Sequence, residues 1–289
     1  MKKKIIAVLV AAGMVVSLAA CGGSSQTATG TAETVESAAE TAESTAAEAA
    51  ESTAAEAATA DAELVTVTEG KLTMSTNAAF PPYEMTTDSG DLEGIDIEVA
   101  GAIAKKLGLE LQVDDMDFDA ALLAAQQGKS DIVMAGVSVT EERQKVMEFS
   151  DSYATGVQVI IVKEDSEIAS VEDLDGKMIG TQRGTTGNIY CTDDYGEDHI
   201  TAYDNGLTAV QALMNGQVDC VVIDQEPAKA FVAANQGLKI LDTEYVSEDY
   251  AIGMAKGNTA LQSAVNKALA ELQEDGTVQS IVDKYIAAK

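Results

Sequence analysis

A chain of 289 residues with 46% hydrophobic side chains carries enough apolar material for one or two folded domains. Its 48 acidic against 18 basic residues, a formal net charge of -30 at pH 7, exclude nucleic acid as a partner, because phosphate binding needs clustered Lys and Arg. A cationic or zwitterionic small molecule fits that field better.

The chain opens MKKKIIAVLVAAGMVVSLAAC: three lysines, an apolar run broken by Gly13 and Ser17, then small residues before a cysteine. This pattern predicts a secretory signal over 1–21, too short and too rich in small residues to span a membrane. Leu18-Ala19-Ala20-Cys21 resembles the bacterial lipobox, which implies an acylated Cys21 as mature N-terminus and lipid anchoring at the outer face of the cell membrane. From Gly22 to Glu63 there is no aromatic residue and no proline, and AESTAAEA occurs at 42–49 and again at 50–57. Such a segment cannot bury enough apolar surface to fold, so 22–63 reads as a disordered tether with a reach of roughly 35 Å. Nine of the acids and three of the bases precede Leu64, leaving 39 acids and 15 bases, a net charge of -24, on the remainder.

From Leu64 strand-like and helix-like segments alternate. KLTMST (71–76) reads as a strand, IDIEVAGAIAKKLG (95–108) as an amphipathic helix, LELQV (109–113) as a strand, FDAALLAAQQGK (118–129) as a helix and DIVMAG (131–136) as a strand leading into a helix with Arg143. A second series follows: VQVIIVK (157–163), KMIGTQ (177–182), a helix after Gly184, ITAY (200–203), GLTAVQALMNG (206–216), DCVVID (219–224), PAKAFVAANQG (227–237) and LKIL (238–241). This alternation implies sheets with helices on both faces. DYAIGM (249–254) and the helix NTALQSAVNKALAELQEDG (258–276) have no evident place in the second series; two α/β lobes, with the C-terminal section returning to the first, accommodate them. Cys191 and Cys220 are too few for a disulfide framework and read as buried apolar side chains rather than a bridge.

Ligands of open α/β sheets sit at the carboxyl ends of strands, against helix N-termini. After DIVMAG, Gly136, Val137 and Ser138 lead to Arg143, so free backbone amides and a guanidinium fork converge, a combination suited to a carboxylate. In GTQRGTTG (180–187) Gln182 ends a strand and Thr185 and Thr186 open a helix, a second amide nest. Asp224 ends an otherwise apolar strand, where a buried carboxylate needs a cation. Asn77 and Phe80 lie in the loop STNAAFPPYE (75–84), and Phe118 opens a helix at the same sheet edge; two of the four Phe there suit a ligand held between aromatic faces. Each feature also has a plainer reading, as a surface arginine among Glu141, Glu142 and Glu148, as helix caps, or as packing at a lobe edge.

Taken in order, FPPYEMTTDSGDLEGIDIEVAGAIAKKLG, DFDAALLAAQQGKSDIVMAG, SVTEER with EFSDSY, and DLDGKMIGTQRGTTG closely resemble the extracellular solute-binding proteins (family 3) of polar amino acid ABC transporters, over roughly 71–289. The resemblance implies a two-lobed, type II periplasmic-binding-protein-like α/β fold, with lobe 1 at 64–154 plus 249–289, lobe 2 at 155–248, and hinge crossings near 153–157 and 246–250. It implies that Arg143 grips an α-carboxylate with the amides of Ser138 and Thr186, that Asp224 and the Gly136 carbonyl receive the α-ammonium, that Phe80 and Phe118 flank the side chain, and that Asn77 and Gln182 line its far end. Members that bind cationic amino acids often carry an acid where this chain has Asn77, which ranks uncharged polar side chains ahead of cationic ones. Glu84 is the acid available to compensate for a cationic ligand but has no assigned place in the pocket, and Arg183, one residue past Gln182 on a strand, points away, which puts acidic ligands last.

The function expected is a substrate-binding component that captures a free L-amino acid and delivers it to a membrane permease, as a monomer, with no cofactor, no metal and no catalytic residue. An enzyme on the same fold, of the dehydratase or cell-wall lyase type, is the alternative; it would want a tuned acid or base, and the one histidine, His199 in YGEDHI, reads as a loop residue. A ligand sensor is the other.

Overall fold

The apolar runs of the sequence become the interior of one eight-stranded mixed sheet. The computed structural model describes residues 64–286; the signal segment, Cys21 and the tether lie outside the described residues. Strand β1 (Lys71–Thr76) lies between β5 (Glu110–Asp115) and β6 (Ile132–Val133), parallel to both. At the far side β8 (Ile179–Gln182) lies between β9 (Ile200–Tyr203) and β10 (Cys220–Asp224), again parallel to both. Every residue of β8 and β10 is buried, as parallel strands covered on both faces require. These two parallel sets are the centres of two α/β lobes.

Two long antiparallel strands join them. β7 (Met147–Lys163) and β11 (Leu238–Ala255) pair along almost their whole length, giving the order β5-β1-β6-β11-β7-β10-β8-β9. The C-terminal end of β11 pairs with β6 (Gly253 with Val133), while the C-terminal half of β7 pairs with β10 (Val221 with Ile161, Asp224 with Gln158). Both strands therefore run from one lobe into the other. The segments expected to cross, 153–157 and 246–250, face each other in this ladder, Tyr250 opposite Ala154 and Val246 opposite Gln158. LKIL and DYAIGM, expected as separate strands, are the two ends of β11.

The return to the first lobe is completed by α7 (Thr259–Glu274), which packs on β7 and on α1 (Ile95–Lys106), and by α8 (Thr277–Tyr285), a helix beyond the last stretch read as helical from the sequence. Leu72, Met74, Ile103 and Ile132 of the first lobe share one continuous apolar cluster with Ala209, Leu213, Val221 and Phe231 of the second, through Tyr153, Tyr250 and Ile252 on the crossing strands. The described residues accordingly form one compact unit, undivided between the lobes. Cys191 and Cys220 are free thiols buried among Ile160, Ile179 and Val222, and burial pushes both up to about 12.

Candidate functional site

The expected site residues converge where the ends of β1, β6, β8 and β10 meet. Asn77, Phe80, Phe118, Gly136, Ser138, Arg143, Gln182, Thr185, Thr186 and Asp224 line one narrow cleft, together with Glu84 and Ala135. Val137 is not among them; it is fully buried against Phe118, Ala121 and Phe149 in the core, so its side chain cannot touch a ligand.

Arg143 sits on α3 (Glu141–Gln144), a single turn whose N-cap Thr140 accepts from the Arg143 amide at 3.1 Å. A turn this short adds little dipole, so the charge here is the guanidinium itself rather than a helix terminus. Arg143 is 8% exposed; it donates to the Ser138 carbonyl at 2.8 Å and, across the lobes, to the Gly184 carbonyl at 3.1 Å, and lies 5.5 Å from the centroid of the Phe118 ring. Burial lowers its pKa, while Glu248, Tyr190 and Asp224 oppose that shift. The second lobe offers α4 (Thr186–Tyr195), whose first residue is Thr186; as an N1 residue its amide has no acceptor within the helix. Thr185 caps this helix by accepting from the Asn188 amide.

Asp224 is 6% exposed at the start of α6 (Gln225–Ala234). Burial raises its carboxyl to about 7, against the pull of two donors, the Tyr250 hydroxyl and Gln158 Nε2, the latter at 2.7 Å. Gly136 has φ +55°, and a Cβ there would stand 2.8 Å from the Phe80 ring, so only glycine lets this backbone bend against the aromatic wall.

The amide orientations follow from a relay. Asn77 Nδ2 donates to the Met116 carbonyl at 2.9 Å, so its Oδ1 is the acceptor for Gln182 Nε2 at 2.9 Å, and Gln182 is left with a buried, unpartnered Oε1. Sequence reasoning missed the matching group. In the hairpin of β2 (Ala79–Phe80) and β3 (Glu84–Thr86), Glu84 pairs directly with Phe80, and directly opposed residues project from one face, so a Phe80 in the cleft brings Glu84 with it. Glu84 is fully buried and neither of its carboxylate oxygens has a partner. The unpartnered atoms of the side-chain end, both Glu84 carboxylate oxygens and Gln182 Oε1, are thus acceptors. Arg183 turns away, bonding the Ala202 carbonyl at 3.1 Å and lying 3.5 Å from Asp204.

A second missed residue is Glu248 on β11. It accepts from Ser138 of the first lobe at 3.1 Å and from Thr186 and Tyr190 of the second at 2.5 and 2.8 Å, fastening both sides of the cleft beside Arg143. His199 is half-buried on the short turn Glu197–His199 and does not line the cleft. Among the described residues no group of three or more His, Cys, Asp or Glu could hold a metal.

Residues 72–288 match the bacterial extracellular solute-binding proteins, family 3. Two relatives are the arginine-binding extracellular protein ArtP of Bacillus subtilis (strain 168), 32% identical over 76% of this chain and 87% of that one, and the L-cystine-binding protein TcyJ of Escherichia coli (strain K12), 30% identical over 76% and 84%. A solved structure described as an ancestral arginine-binding protein bound to glutamine superposes with a TM-score of 0.73 at 41% identity, over 76% of this chain and all of the other.

Proposed function

The chain belongs to the bacterial extracellular solute-binding proteins, family 3, and from that membership we propose that its cleft closes on a free L-amino acid, which the protein delivers to the permease of an ABC importer. One observation carries the ligand class. The cleft presents a single guanidinium, Arg143, and two buried carboxyl groups, Asp224 and Glu84. An amino acid with a cationic side chain presents the inverse, one carboxylate and two cations. Arg143 takes the α-carboxylate in a forked pair, assisted by the Ser138 and Thr186 amides. Asp224 and the Gly136 carbonyl take the α-ammonium, Phe80 and Phe118 hold the aliphatic stem, and the acceptors of Glu84 and Gln182 take the side-chain donors. The order drawn from Asn77 alone therefore reverses: cationic side chains, arginine first, precede uncharged ones such as glutamine, and acidic ones remain last.

The lobes of this reading are 64–154 with 249–289, and 155–248, moving about the paired segments of β7 and β11. The protein acts as a monomeric carrier rather than an enzyme, exported and held at the outer face of the membrane by acylated Cys21 through the 22–63 tether; release of a Cys21→Ser form from the membrane fraction is the expected result, and its retention after processing contradicts the anchor. For the ligand, a calorimetric panel of the common amino acids, with small-angle scattering before and after saturation, is decisive. Tightest binding to glutamate or aspartate overturns the charge argument, and no binding to any amino acid overturns the function.

A further inference from the structure

A cleft with two buried carboxyls and one guanidinium has to dispose of a charge whenever its ligand is not doubly cationic. Asp96, on the first turn of α1, is fully buried like Glu84; its Oδ2 accepts from the Gly136 amide at 3.0 Å and the Tyr153 hydroxyl at 2.8 Å, and its Oδ1 has no partner. The charged groups acting on Glu84 are Asp96, then Asp224 at the end of β10 and Asp115 at the end of β5; none is a cation, and Tyr83 and Tyr153 adjoin it as phenols held neutral by burial. With both carboxyls ionised, three of their four oxygens are bare. The Asp96 amide donates to the carbonyl of Tyr83, the residue before Glu84, at 2.8 Å, and a proton on one of the two carboxyls makes the bond between the pair that two carboxylates cannot make.

We propose that Glu84 and Asp96 share one proton, which an amino acid with a cationic side chain displaces and one with a carboxamide side chain retains, so that pH sets the preference between the two ligand classes. This rests on the amino-acid reading of the cleft. Burial, then Asp96, hold the Glu84 carboxyl well above the usual carboxylate range, and burial raises Asp96 to about 6. A guanidinium brings its own positive charge, pairs with ionised Glu84, and the proton leaves to solvent. A carboxamide brings none, so the O–H of Glu84 stays directed at Asp96 while its carbonyl oxygen accepts an amide N–H. The α-carboxylate and α-ammonium are common to both ligands, so proton changes at Arg143 and Asp224 cancel in the comparison.

The test is calorimetry of the unaltered protein with arginine, glutamine and citrulline, in two buffers of different ionisation enthalpy, from mildly acidic to mildly alkaline pH. Arginine is expected to release about one proton more per molecule bound than either uncharged ligand, and the ratio of arginine to glutamine affinity to fall by up to about tenfold per unit decrease in pH. Glu84→Gln should erase the difference in proton release and weaken arginine at least about tenfold relative to glutamine. Equal proton release by all three ligands overturns the proposal, as does failure of both uncharged ligands to bind at acidic pH while arginine binds. Failure of every amino acid to bind overturns the reading of the cleft itself, and the proposal with it.

Discussion

Arg143 is the one cation among the buried residues described, and its surroundings explain why a side chain so costly to desolvate is kept. It spends two donors on the Ser138 and Gly184 carbonyls, which aim the fork, and leaves the rest for a ligand. Arg143→Ala and Asp224→Ala should each lower amino-acid affinity by about 2–5 kcal/mol, some thirty- to several-thousand-fold in Kd, with the fold retained. Arg143→Lys should recover only part of that, because an ammonium cannot span both carbonyl oxygens and both ligand oxygens. Near-native affinity in either alanine variant, measured by titration calorimetry, removes that residue from the site. Asp224 was legible as a charge at the end of an apolar strand; Arg143, which alone also reads as a surface arginine among Glu141, Glu142 and Glu148, was legible through the ordered run of family-like motifs around it. Glu84 and Glu248 were not, since each reaches the cleft through a strand pairing, Phe80 with Glu84 and β11 with β7, that no local pattern announces.

The crossing strands show the same limit at the scale of an element. The middle of β11 reads DTEYVSED, acidic and without alternation, and its ladder shifts register between Ile240 and Glu244 and again near Tyr250, so the period that marks a strand is lost although the strand is continuous. The returning segment was legible only as DYAIGM having no evident place in the second series, together with the two-lobed fold that the resemblance implies. Gly156 of β7 lies against the Tyr250 ring: a Cβ there would stand 2.4 Å from it. Tyr250 is fully buried, and its hydroxyl donates to Asp224, so it cannot retreat without releasing that carboxylate. Gly156→Ala is therefore expected to cost about 1–3 kcal/mol of stability and to weaken ligand binding as well. Thermal unfolding and calorimetry on the same sample check both effects. A variant as stable and as tight-binding as the parent would mean that the crossing gives more freely than its packing indicates.

For the whole molecule, the acidic surplus is of two kinds, and they respond to pH in opposite directions. At the surface, Glu98 near Lys284, Glu148 near the Gly257 amide and Lys256, and Asp173 and Asp275 near backbone and hydroxyl donors have lowered pKa values, so any stability they contribute is present above the ordinary carboxylate range and is lost as pH falls through it to the lowered values. Their exposure makes that contribution small. Inside, Asp96 is raised to about 6 and Asp224 to about 7 by burial. A carboxyl with a raised folded-state pKa binds its proton more tightly in the fold than in the unfolded chain. Its contribution is complete below the unfolded value of about 4 and lost as pH rises through the folded one. The ligand-free protein should therefore be most stable in mildly acidic solution and lose on the order of a few kcal/mol between about pH 4 and pH 7, with repulsion within an acidic surface adding to the same trend. Urea unfolding midpoints across that range measure it, and Asp224→Asn should flatten the upper part of the decline, because an amide there has no proton to lose. Stability that climbs steadily from acid to neutral pH would mean that the buried carboxyls stay ionised in the fold, which the three bare oxygens of Glu84 and Asp96 could tolerate only with a cation already beside them.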